Sequence, residues 1–213
     1  MRIRTKVFTA TVVGVFAAAP ADAQSNDQFW RDTWFWGAQA GTMIFQAGGQ
    51  TEVGLAVGGH WFITAGRSAL NLAFDQLIFT SSQTTIGAQP VDFSRAQRIS
   101  ATVYAMPSTT GIQVYVGGGF ALEHVTNSTP TGTFPTPQQQ SAFLDQVDEE
   151  ATKAFAILGG GVQWRWLSNW VVFAQYQFQP STNDFLIGSA QHAIQGGIRY
   201  ALTGSKEAVT GSR

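Results

Sequence analysis

The chain has no cysteine, which removes disulfides, thiolate metal sites and a cysteine nucleophile. Charge is scarce too: Asp, Glu, Lys and Arg make up 12% of 213 residues, 12 basic against 13 acidic, leaving no basic excess with which to hold nucleic acid. After the first twenty residues no apolar run approaches the eighteen or so that a membrane helix needs, and the mean hydropathy is 0.00. A helical membrane protein is excluded. The three histidines, His60, His124 and His192, fall on separate segments without metal-ligand spacing. Gly117-Gly118-Gly119 and Gly159-Gly160-Gly161 open no helix, so neither reads as a phosphate loop. Neither a metal nor a cofactor is expected.

What the chain does have is alternation. Between Ala154 and Gln179 two runs of period two meet at Leu167-Ser168-Asn169, with Trp170, Val172, Ala174, Tyr176 and Phe178 on one face and Gln175, Gln177 and Gln179 on the other. A period of two means extended strand, and about ten residues suffice to cross a hydrocarbon layer when tilted. Further strands are predicted over 34–45, 52–63, 68–80, 97–106, 112–123 and 192–202, making eight. The pattern blurs at Gln76-Leu77, where a bulge or a register ambiguity is expected. The expected fold is all-β, an eight-stranded antiparallel up-and-down transmembrane barrel.

At the amino end Arg2, Arg4 and Lys6 precede an apolar run and the small residues Ala21 and Ala23. This is the pattern of a secretory signal peptide over 1–23. A periplasmic lead-in over 24–33, the barrel over 34–202 and a polar periplasmic tail over 203–213 complete the division. Connections alternate between short turns and longer loops, the longer ones over 81–95, 124–153 and 180–191. Thr136-Pro137-Gln138-Gln139 reads as a helix start inside the second loop, followed by Phe143, Leu144, Val147 and Ala151 at helical spacing. Short turns on one side and loops on the other predict an outer-membrane orientation with both chain ends in the periplasm.

All seven tryptophans map to the turn rim, and Trp34, Trp36, Trp61, Trp164, Trp166 and Trp170 with Tyr200 are expected to sit at the membrane interface; Trp30 and Tyr104 fall near the same rim. Inward positions carry Glu52, Asp75 and Glu123 against Arg98, Arg165 and Arg199, with His60 beside them. Eight strands leave a lumen that side chains fill, so these residues predict a plug of ion pairs rather than a conduction path. At the outer rim Glu123 and His124 precede Ser128, but adjacent strand residues face opposite ways, which argues against a charge-relay partnership.

The run Gln195-Gly196-Gly197-Ile198-Arg199-Tyr200-Ala201-Leu202 resembles the carboxy-terminal assembly signal of outer-membrane barrels, with Gln195, Gly197, Tyr200 and Leu202 at its four positions and 11 further residues after it. The chain thus looks like the small eight-stranded barrels of opacity and OmpA type. This resemblance implies outer-membrane lipid and lipopolysaccharide, periplasmic chaperones and the barrel-assembly machinery as partners. A weaker resemblance is to PagL-type lipid A deacylases, whose catalytic His position reads Gln179 here, followed by Ser181; glutamine cannot serve as a general base. The leading expectation is a non-enzymatic envelope barrel acting through its loops. Its alternatives are a lipid A acyl hydrolase using His124 with Ser128 or Ser181, and a secreted lipocalin-like ligand binder.

Overall fold

The computed structural model describes residues 29–30, 32–87, 89–107 and 111–202. The expected signal peptide and tail lie outside them, as does most of the lead-in. Eight strands carry the fold: β1 (Trp34–Ala47), β2 (Gln50–Ala65), β3 (Ser68–Ile86), β4 (Gln89–Ala105), β5 (Gln113–Thr126), β6 (Thr152–Arg165), β7 (Trp170–Gln179) and β8 (Gln191–Leu202). Each pairs antiparallel with its neighbours in the chain, and β1 pairs with β8 from Trp34↔Leu202 to Ile44↔His192. The sheet is therefore closed, with no free edge. No described helix is long and apolar enough to cross a membrane.

Alternation decides what faces where. Val53, Leu55, Leu72, Phe74, Ile99, Val103, Val116, Phe120, Leu158, Ile194 and Ile198 stand on the outer face, with Phe120 73% and Ile99 60% exposed. Side chains of this size left open over the whole circumference make sense only against hydrocarbon. The residues of the other parity along the same strands, such as Ala56, Asn71, Ala73, Arg98, Ser100, Ala121, Ile157 and Ala193, are buried. This is a transmembrane barrel, and the apolar exterior with a filled interior is the reverse of what a lipocalin-like binder needs.

The loop expected over 81–95 is instead strand. β3 and β4 run on to a two-residue connection, pairing from Ser82↔Phe93 to Ile86↔Gln89. Gln83 Nε2 donates to Asp92 Oδ1 at 2.6 Å across this extension, and Ile86, Val91 and Phe93 are buried inside it. The Ser/Thr-rich composition suggested a loop, but packing of the three apolar side chains overrides propensity. The register irregularity lies between Ile78 and Ser82, not at Gln76-Leu77. Inward residues on β3 are odd before it (Asp75, Leu77, Phe79) and even after it (Ser82, Ile86), and on β4 they change from even (Ala96, Arg98) to odd (Val91, Phe93), with four residues of β3 spanning two of β4. The short Thr129–Pro130 segment adds to β4 at Asp92 and Val91.

The long connection between β5 and β6 holds helix α1 (Pro137–Glu150), capped by Thr136, whose Oγ1 accepts from the Gln139 backbone N–H at 3.3 Å. Val147 and Ala151 are buried against the barrel mouth, whereas Leu144 is exposed. The β1–β2 turn is Gly48-Gly49 with φ of +55° and +76°, values that only glycine takes without strain and that suit a two-residue hairpin.

Candidate functional site

The interior is built in three layers. At the turn end Trp30, Phe35, Phe62, Tyr104, Met106, Tyr115 and Val171 form an apolar cluster. Trp30 is fully buried and packs near Phe35, their rings 6.0 Å apart. The lead-in is pinned there by Thr33, whose backbone N–H donates to Thr64 Oγ1 at 2.9 Å and whose Oγ1 donates to the Phe29 carbonyl at 2.8 Å. Trp30 and Tyr104 thus belong to the inside and not to an interfacial rim. At the loop end Phe45, Leu77, Phe79, Phe93, Val125 and Phe155 meet Phe185, Leu186 and Ile187 from the β7–β8 loop and Val147 from α1. The Leu186 N–H donates to the Glu150 carbonyl at 3.1 Å, joining the two loops over the mouth.

Between these apolar caps lies a polar layer. Strand register sets Asp75, Arg98 and Glu123 side by side on β3, β4 and β5. The Arg98 guanidinium bonds Asp75 Oδ2 at 2.8 Å and donates to Gln179 Oε1 at 2.8 Å. Asp75 Oδ1 accepts from Gln39 Nε2 at 2.6 Å and from Gln195 Nε2 at 3.1 Å. Gln195 Oε1 accepts from Gln175 Nε2 at 3.0 Å, and Tyr115 Oη donates to Gln175 Oε1 at 3.3 Å. The chain of bonds crosses the lumen from β4 to β8 and makes good the desolvation of one ion pair. Gly58 clears its path, since a Cβ there would stand 2.5 Å from Asp75 Oδ1. Glu123 is held loosely by comparison: Gln191 Nε2 is 3.5 Å from Oε1, and Oε2 has no hydrogen-bond partner.

Arg199 is treated differently. It is buried without a carboxylate among its described partners. Nε donates to His60 Nε2 at 2.8 Å, and a second nitrogen donates to Gln163 Oε1. The guanidinium carbon sits 4.0 Å from the ring centres of both Phe62 and Phe173. Cation–π attraction and two neutral acceptors therefore replace an anion. A His60 that accepts at Nε2 must carry its hydrogen on Nδ1 and be neutral.

The expected plug of ion pairs becomes, among the described residues, one ion pair within a glutamine network. Two of its predicted members lie elsewhere: Glu52 is half-buried near the loop mouth, and Arg165 is exposed at the turn mouth, its guanidinium 4.4 Å from the Phe29 ring. Both occupy inward positions, but near strand ends an inward side chain meets solvent. Sequence reasoning missed Gln39, Gln163, Gln191 and Phe62, which parity alone would have found; it placed Tyr115 and Phe173 on inward faces but not their assembly with Phe62 into a ring cage.

On the outside, register puts Trp61, Trp36, Tyr200 and Trp170 in one row across β2, β1, β8 and β7. Trp36 and Trp61 are 4.2 Å apart, Trp34 and Trp61 6.0 Å, and Trp170 and Tyr200 5.0 Å. Trp164 and Trp166 extend the row on and after β6, but at this rim β3, β4 and β5 present Leu70, Val103 and Val114 instead. Of the assembly-signal positions, Gln195 is buried inside, Gly197 shares its face, and Tyr200 and Leu202 are outward.

His124 is exposed and Glu123 wholly buried, on opposite faces of β5. The imidazole Nδ1 lies 2.7 Å from Thr152 Oγ1 of β6. Ser128 is half-buried beyond the end of β5, and Ser181 is exposed in the β7–β8 loop with β6 standing between its strand and β5. The candidate hydrolase set is thus not brought together around a carboxylate.

Closed antiparallel pairing, an apolar exterior on all sides and a filled polar lumen define the class: an eight-stranded transmembrane β-barrel. Among solved structures the chain is similar to Neisserial surface protein A, with 10% identity over 78% of this chain and 96% of that one and a TM-score of 0.55. It is also similar to the N-terminal β-barrel domain of Pseudomonas aeruginosa OprF, with 11% identity, 80% and 98% coverage and a TM-score of 0.50. Identities this low speak for the fold alone. No protein-family model and no curated protein sequence matches the chain.

Proposed function

We propose that this chain is a closed, non-enzymatic barrel of an outer membrane that serves envelope integrity or surface contact through the structures at its loop end. The observation that carries this reading is the shutting of both mouths, by Trp30 and its neighbours at one end and by Phe185, Leu186, Ile187 and α1 at the other. A filled lumen leaves the exterior and the loops as the working surfaces. The Trp row suits the headgroup interface, where an indole keeps its ring in hydrocarbon and its N–H in water. In this reading the 1–23 leader directs export, periplasmic chaperones carry the chain, and the barrel-assembly machinery takes up Gln195, Gly197, Tyr200 and Leu202. The β3–β4 extension and the α1 loop then face outward from the cell.

Two measurements test it. In planar bilayers the folded protein is expected to give no single-channel conductance above background, and steady openings would refute the closed state. Lipid A from cells with and without the protein is expected to have the same mass spectrum. Loss of an acyl chain that depends on His124 would make it a hydrolase instead.

A further inference from the structure

At the loop end of β4, β5 and β6 the apolar exterior gives way abruptly to hydrogen-bonding groups. Ile99, Leu122 and Ala154 share one rung; the next outward rung sets Gln97, His124 and Thr152 side by side, and the one after pairs Arg95 with Thr126. Residues two apart on a strand share a face, so these five form one continuous outward patch. Arg95, Gln97, His124 and Thr152 are exposed. Arg95 is the one Lys or Arg on the outward face of the described strands, and no hydrogen bond or ion pair among the described residues holds its guanidinium. The His124–Thr152 contact occupies Nδ1 and leaves Nε2 uncommitted.

An arginine two rungs beyond Ile99 and Leu122, level with Ile78 of β3, sits where lipid headgroups begin, and an unpaired cation there is stabilised by an anion. Around it stand neutral amide and hydroxyl groups, which suit the hydroxyls of a sugar better than a bare phosphodiester. We propose that Arg95, Gln97, His124, Thr126 and Thr152 form a binding site for a phosphorylated saccharolipid of the leaflet at the loop end, an assignment that rests on the outer-membrane reading. Arg95 clamps the phosphate with its planar fork, His124 Nε2 meets the same headgroup, and Gln97, Thr126 and Thr152 take the sugar.

The test uses the full chain folded in detergent micelles, with heat-dependent gel mobility as the fold control and native mass spectrometry as the readout. Three probes are titrated: bisphosphorylated lipid A, its monophosphoryl form and dioleoylphosphatidylglycerol. Bisphosphorylated lipid A is expected to bind best, and R95A to weaken it by about tenfold with gel mobility unchanged, the loss of one charge-assisted contact. R95K is expected to fall between. Equal retention of dioleoylphosphatidylglycerol would overturn the saccharolipid assignment. Undiminished lipid A binding by an R95A/H124A protein with normal gel mobility would overturn the site. Failure of the outer-membrane reading is seen separately, as a protein that sediments away from outer membranes in a density gradient while its micellar lipid binding is unaltered.

Discussion

Asp75 and Glu123 flank the same arginine and have unequal roles. Asp75 accepts from Arg98, Gln39 and Gln195, so D75A leaves a buried guanidinium without its anion. The expected cost is about 3–5 kcal/mol, read as a fall in the urea midpoint followed by tryptophan fluorescence in micelles. A D75L/R98L protein, which removes both charges, is expected to recover most of that loss; equal destabilisation of both proteins would show that the ion pair is not what matters. Glu123, with one oxygen unpartnered, predicts the opposite sign. E123Q removes a loosely held buried charge and is expected to be neutral or to stabilise by about 1 kcal/mol. A loss of several kcal/mol in the same urea titration would mean that Arg98 depends on Glu123 as much as on Asp75.

At the scale of elements the chief surprise is the β3–β4 extension. Arg95 lies in what composition marks as loop, yet it is paired with Ile78 on one side and Thr126 on the other. Strand backbone held on both edges does not enter a protease active site without local unfolding. Limited trypsin digestion of the folded barrel is therefore expected to spare Arg95, and early cleavage there would return the segment to a flexible loop. Composition misled because polar residues at positions 82–85 alternate just as apolar ones do, while the apolar residues that close the hairpin, Ile86, Val91 and Phe93, are few. The α1 start at Thr136 was legible because capping is local chemistry, contained within four residues.

For the whole molecule, stability and closure depend on the same side chains. Trp30 belongs to neither a strand nor a membrane-facing rim; it fills the turn-end mouth against Phe29 and Phe35. W30A is expected to cost about 3–5 kcal/mol through the cavity it leaves, with the eight strands still formed by circular dichroism. An unaltered urea midpoint would show that the lead-in merely rests at the mouth. The charge balance read from inward positions was correct as arithmetic, but it could not say which charges meet. Arg199 ends against aromatic rings and His60, whereas Glu52 and Arg165 sit toward opposite mouths.

Alternation along the chain was enough to determine eight strands, their inward and outward faces and the closed antiparallel order, because period two is a local property and short connections leave little choice of neighbour. It also marked Asp75, Arg98, Glu123, Arg199 and His60 as interior residues. Only the tertiary structure decided that Arg98 pairs with Asp75, that a glutamine network rather than a set of ion pairs crosses the lumen, and that the lead-in and two loops close the mouths. Those outcomes depend on strand stagger and on a bulge between Ile78 and Ser82. Both set which inward residues reach one another across a lumen that the sequence pattern describes one strand at a time.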